Sequence, residues 1–279
     1  MAVSTRLQLF KDVASELGDL ISLEATATGT TSTFVSTNDM LYPDGSLNGR
    51  EAWYASAATG SNRQTRRLVT DTDQDTGTIT VSPVWPSIPA EDDVVLLVNS
   101  RGTGVTIPDI HNKINQLIRR VGDELATVVS DAATTFDMTS PVLSIPTSWD
   151  YLLGVQIAPR SDQPTVWQNL IGKPYSISAF DSTVTILPTH LGLCNGKSLR
   201  LIGAIALPEL TDDTDTTTAP ASWLAKRAAA ELSREACLRS GDVATALTLS
   251  EILKTEAMQL ESYVSKRFAA FGHRIDLRR

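Results

Sequence analysis

Apolar positions recur with helical spacing in four stretches of the chain. The first runs through Leu7, Phe10, Val13, Ala14, Leu17, Leu20 and Ile21 and has Ser4 or Thr5 in front of it as a cap. Gly18 weakens its last turn. The second is announced by Thr106 with Pro108 in its first turn, and carries Ile110, Ile114, Leu117, Ile118, Val121, Leu125 and Val128 to about Val129. The last two form a predicted hairpin over 221–268. Trp223, Leu232 and Leu238 mark its first arm, and Leu247, Ile252, Leu253, Leu260, Val264 and Phe268 mark its second. Ser240-Gly241-Asp242 supplies a helix stop and a new cap between the arms, and Pro220 stands at the entrance.

Between these stretches the period changes to two. From Ala25 the chain is small and rich in Thr, a texture that holds a helix poorly. Strands are predicted at 33–36, 51–55, 65–71, 77–81 and 94–98. Pro43-Asp44-Gly45, Asn48-Gly49, Gly60-Ser61-Asn62 and Asp75-Thr76-Gly77 supply the turns between them. A second set is predicted at 142–145, 151–158, 165–168, 176–179, 183–187 and 198–207, the last being the most apolar. The expected fold is therefore α+β. A small four-helix bundle is built from 1–24, 106–130 and the hairpin 221–268, and two antiparallel β modules branch from it. One module is a small barrel or sandwich inserted at 25–105, and the other spans 131–210. An acidic, solvated loop at 211–220 precedes the hairpin, and an extended basic arm at 269–279 follows it.

Composition narrows the function. With 279 residues, 42% apolar and 6% aromatic, the chain reads as a globular protein with extensive surface. Its formal charge of −8 argues against gripping DNA across a whole face. It is compatible with letting DNA pass without adhesion. Cys194 and Cys237 are isolated and read as free thiols of a reducing cytosol. No opening pattern of a signal peptide is seen, and no apolar run is long enough to span a bilayer.

No stretch reads as catalytic. His111, His190 and His273 lie far apart and lack a metal partner at helical spacing. Phosphate-binding, nucleophile-elbow and zinc-protease motifs are absent, and no cofactor or metal is expected. Asp212, Asp213 and Asp215 lack the glycine and distal glutamate of a calcium loop, which favours a solvated linker. Arg63, Arg66 and Arg67 form a local basic patch, a candidate contact for a partner's carboxylates or for nucleic acid. With no aromatic platform beside them, outward-facing strand residues are the favoured reading. The tail runs against the charge of the rest of the chain. Lys266, Arg267, Arg274, Arg278 and Arg279 meet one acid, Asp276, and are interleaved with Phe268, Phe271, Ile275 and Leu277. Frayed ends seldom carry so many large apolar side chains, so these residues are expected to form a docking arm.

The opening 5–18, Thr5-Arg6-Leu7-Gln8-Leu9-Phe10-Lys11-Asp12-Val13-Ala14-Ser15-Glu16-Leu17-Gly18, resembles the start of head-to-tail adaptor (connector or neck) proteins of tailed bacteriophages. So does the order of the second helix, a β region, a helical hairpin and an arm. The stretch 60–71 with 77–83, ending in Pro89-Ala90-Glu91-Asp92-Asp93, is similar to a small β module of phage structural proteins. The resemblance implies a virion protein of the neck, assembled in the host cytoplasm as a ring of about twelve subunits. It would extend the DNA channel beneath the portal and give the tail a platform. Its partners would be copies of itself, the portal protein through Lys266–Arg279, a tail-side neck or tail protein, and double-stranded DNA passing without sequence-specific binding. No membrane is involved. The competing expectations are a tail, baseplate or head-decoration protein, and more remotely a carbohydrate-binding module.

Overall fold

Thr5 caps the first helix, its hydroxyl accepting from the Gln8 amide at 3.1 Å, and Leu9, Phe10, Val13 and Ala14 form the buried stripe of that helix. A computed structural model describes residues 3–18, 20–55, 62, 64–121, 126–158, 167–170, 175–178, 181–240, 243–261 and 275–277. The chain divides into two units. The first comprises Met1–Arg120 with Pro208–Val264, and the second Val121–Leu207 with Ser265–Arg279.

In the first unit, α1 (Arg6–Glu16) follows β1 (Ser4–Thr5), which pairs with β17 (Thr216–Thr217). A barrel comes next: β2 (Leu20–Glu24), β3 (Ala27–Thr30), β4 (Thr33–Val35), β5 (Glu51–Tyr54), β6 (Arg66–Asp73), β7 (Thr78–Ser82) and β8 (Val94–Val98). Their order is β2-β8-β5-β6-β7-β4-β3, all antiparallel. Only Ala25 and Thr26 separate β2 from β3, so they are two halves of one bent strand. The Ala25 amide donates to Asp93 on one side and the Thr26 amide to Val35 on the other. That single strand closes the sheet on itself and leaves no open edge. Phe34, Leu23, Val69, Ile79, Leu97 and Trp85 fill the interior. Gly77 turns β6 into β7 at φ 63°, with the Thr37 backbone 2.7 Å from where a Cβ would stand.

After the short α2 (Ser100–Thr103), α3 (Ile107–Val121) opens with a reciprocal cap. The Thr106 hydroxyl accepts from the Asp109 amide, and the Asp109 carboxylate accepts from the Thr106 amide at 3.0 Å. The hairpin follows as α5 (Ala221–Ser240) and α6 (Val243–Glu261). Ala225, Ala228, Ala229 and Ala230 are buried along α5, and such small side chains let neighbouring helices approach closely. Lys226 ties the group together, reaching Glu16 of α1 at 3.7 Å and bonding Glu256 of α6.

The second unit contains β9 (Thr127–Ser130), β10 (Thr134–Thr135), β11 (Val142–Ser144), β12 (Tyr151–Ala158), β13 (Gln168–Asn169), β14 (Tyr175–Ser178), β15 (Thr183–Ile186), α4 (Leu191–Cys194), β16 (Ser198–Ile205) and β18 (Ile275–Asp276). Its long antiparallel strands β12 and β16 lie side by side. The outer edge of β16 is tiled by β9 and β10, and that of β12 by β13 and β18. A three-stranded sheet, β11-β15-β14, shares an apolar cluster with them: Val184 meets Trp149, Leu152, Val155 and Leu201.

These findings overturn the four-helix bundle as the organising core. The described residues form four sheets, and strands outnumber helices in both units. Two expected helices are shorter than their apolar stripes. α1 stops at Glu16 because Gly18 takes φ 72°, and Leu20 and Ile21 pair with Val98 and Leu97 in the barrel. α3 stops at Val121, while Val128 and Val129 pair with Ala204 and Gly203. β-branched residues at the ends of both stripes suit a pleated ladder better than a last helical turn.

Candidate functional site

The residues singled out in the sequence do not converge. Arg66 is exposed on β6 and faces Glu51 at 3.6 Å. Arg67 is half-buried, donates to the Val84 carbonyl at 2.8 Å and lies 5.6 Å from the centre of the Trp85 ring. They are strand residues with separate partners, and Arg63 lies outside the described residues. Of the expected arm, Lys266, Arg267, Phe268, Phe271, Arg274, Arg278 and Arg279 also lie outside them. Ile275 pairs with Leu152 in β12, and the Leu277 amide donates to the Asp150 carbonyl at 2.8 Å. Leu277 packs on the Trp149 cluster. This part of the expected arm is committed to the fold of its own unit, because alternation through Ile275-Asp276-Leu277 matches the open edge of β12.

His190 bonds Thr189 at 2.8 Å, His273 lies outside the described residues, and no metal-ligating group is found among the described ones. Trp53, Trp85, Trp149 and Trp223 are buried, and Trp167 lies under the Arg200 guanidinium at 4.2 Å. A flat aromatic platform for sugars is therefore not available at those four buried positions. Among the described residues no helix is long and apolar enough to cross a membrane.

Two polar clusters in the first unit escaped the sequence reading. The first joins α1, α3, the barrel and the loop before α5. Asp213 of that loop, expected to be solvated, is only 6% exposed and accepts from Trp53 Nε1 at 3.0 Å. Arg6 lies 3.9 Å from the Asp213 carboxylate, and its Nε donates to His111 Nδ1 at 3.1 Å. The His111 ring stacks on Phe10, with centroids 5.1 Å apart, and tilts against Trp53 at 5.0 Å. Burial first, and the Arg6 charge second, push its pKa down to about 3, so the ring is neutral. The loop can bury one acid because Asp215 holds its backbone, accepting from the amides of Thr211 and Asp212. The arrangement clamps helices to barrel and offers no open site for chemistry.

The second cluster lines a cavity of about 390 Å³ between α3, α5 and α6. Arg120, Arg227, Arg234 and Lys254 face it, with Glu231 and Glu235. Glu231 is shared by Arg120 at 2.9 Å, Arg227 at 3.1 Å and the buried Lys113 at 3.7 Å. Burial alone would raise its pKa, but the hydrogen bonds and charges of Arg120 and Arg227 carry it below the usual carboxylate value. Lys113 also meets Glu235 at 2.5 Å. A signal for part of this was present. Arg227, Glu231 and Glu235 are spaced four apart on α5, and His111 and Lys113 lie on or beside the apolar stripe of α3. What the cavity supplies chemically is paired charge with cations in excess, suited to holding an anionic group.

Comparison with models of protein families gives no match, and comparison with curated proteins gives none either.

Proposed function

We propose that this chain is a structural protein of a tailed-bacteriophage virion, forming a ring between portal and tail that extends the DNA channel and gives the tail a docking platform. One observation carries the self-assembling part of that reading. α5 is packed by α1 and α6, whereas α6 keeps Ile252 and Met258 53% and 56% exposed on its outer side. Large apolar side chains held outward on a regular helix are what a lateral contact between copies uses. The likeness of residues 5–18 to head-to-tail adaptors, and of 60–71 with 77–83 to a β module of phage structural proteins, supports the place in the virion. The acidic balance of −8 suits a channel wall past which DNA slides.

The test is to mix the purified chain with the portal protein of the same virion and to image the product while weighing it. Rings stacked coaxially on the portal are expected. A chain that forms no ring and stays off the portal removes the adaptor reading. Decoration of the head surface, or assembly on the tail alone, transfers the chain to those structures.

A further inference from the structure

The cavity between α3, α5 and α6 has a charge surplus that the fold does not consume. Five cations, Lys113, Arg120, Arg227, Arg234 and Lys254, meet three carboxylates, Glu231, Glu235 and Glu251. Arg234 is exposed at the rim and has no ion-pair partner among the described residues. The surplus stands out in a chain whose net charge is −8. An opposite surplus lies at one end of the barrel in the same unit. Asp71, Asp73 and Asp75 are all exposed around the β6–β7 turn. Asp44 joins them, since its carboxylate accepts from the Gln74 amide at 2.8 Å. Asp71 and Asp73 bond backbone amides of their own turn, and none of the four makes an ion pair among the described residues. The tip is flanked by Thr37 and by the loop that carries Asp44, with all four carboxylates exposed on it, and the cavity is of a size for a few side chains.

We infer that the cavity between α3, α5 and α6 receives the acidic β6–β7 tip of a second copy of this chain. Donor and receptor surfaces are different, so the contact is head-to-tail and closes into a ring where the rotation between copies permits. Charge matched across half-exposed pairs sets partner choice and encounter rate more than raw affinity, so the contact is sensitive to salt. The inference rests on the reading of the chain as self-assembling, and it names the contact.

Sedimentation velocity of the full chain at about 50 mM and about 500 mM NaCl tests it. Assembly is expected at low salt and dispersal at high salt. Arg234→Glu and Asp75→Lys are each expected to weaken assembly about tenfold, and the two together to restore it to within about threefold. Both side chains lack ion-pair partners among the described residues, so thermal unfolding of each variant should match the parent and show that the loss is at the contact. Assembly that neither reversal disturbs overturns the inference, as does a chain monomeric at both salts. A monomer that binds citrate at the cavity also overturns it and makes the cavity a site for a free anion. Electron microscopy separates this outcome from that of the ring. Open filaments rescued by the charge swap keep the contact and remove the ring, while rings indifferent to the swap keep the ring and remove the contact.

Discussion

The two units hold themselves together by different means. The first closes its barrel with one bent strand and joins that barrel to its helices through a buried polar cluster, Arg6, Asp213, His111 and the Trp53 N–H. The second has two long strands with apolar clusters, short strands along their edges, and one close approach of ring to backbone. There, a Cβ at Gly203 would stand 1.9 Å from Trp149 Cε3. Desolvated charge is costly to leave half-made, and a tight apolar contact is costly to overfill. Each unit is therefore vulnerable to a different kind of substitution, and the contrast can be broken experimentally.

The largest effect is expected from Asp213→Ala. It leaves the Trp53 N–H without its acceptor and Arg6 without its nearest carboxylate, at a cost of about 3–5 kcal/mol. Hydrogen exchange should rise across α1 and α3 and stay unchanged in β12 and β16. Equal loosening of both units would erase the distinction drawn here. Gly203→Ala is expected to do the reverse. Trp149 must leave its place, costing about 3 kcal/mol, and protection should be lost in β12 and β16 while the barrel keeps its own. A smaller effect follows from acid. The unfolded His111 titrates near its ordinary 6.5 and the folded one at about 3, so the unfolded state binds more protons in that window. Stability of the first unit should fall as pH drops from 6.5 towards 3, by about 2 kcal/mol at about pH 5. His111→Gln keeps an acceptor for Arg6 and should flatten the slope. A slope that survives this change would assign the acid sensitivity to other groups.

Much of the β architecture was legible because alternation and turn chemistry agree. Ile79 and Val81 are buried while the alternating Thr78 and Thr80 are half-buried and Ser82 is exposed, and Gly77 marks the turn before them. The cap at Thr106 was legible for the same reason, with local residues deciding a local structure. Errors arose where a short apolar run suits either period. Leu20-Ile21 and Val128-Val129 continue a helical stripe on paper, and only their cross-strand partners, far along the chain, decide otherwise. The candidate contact was the least legible. Its cavity draws on three helices and no motif, and Asp213 sits in a loop whose density of acids reads as solvated. Its burial depends on Trp53, 160 positions earlier.

β18 carries a consequence for synthesis. The barrel needs only residues between Leu20 and Val98, so it can form while translation continues. The edge of β12 is covered only when Ile275 and Asp276 have been made, more than a hundred residues after Tyr151. A nascent chain that has not yet reached Ile275 therefore leaves the rungs at Tyr151 and Leu152 unpaired on that side, an exposed edge of the kind that invites non-native pairing.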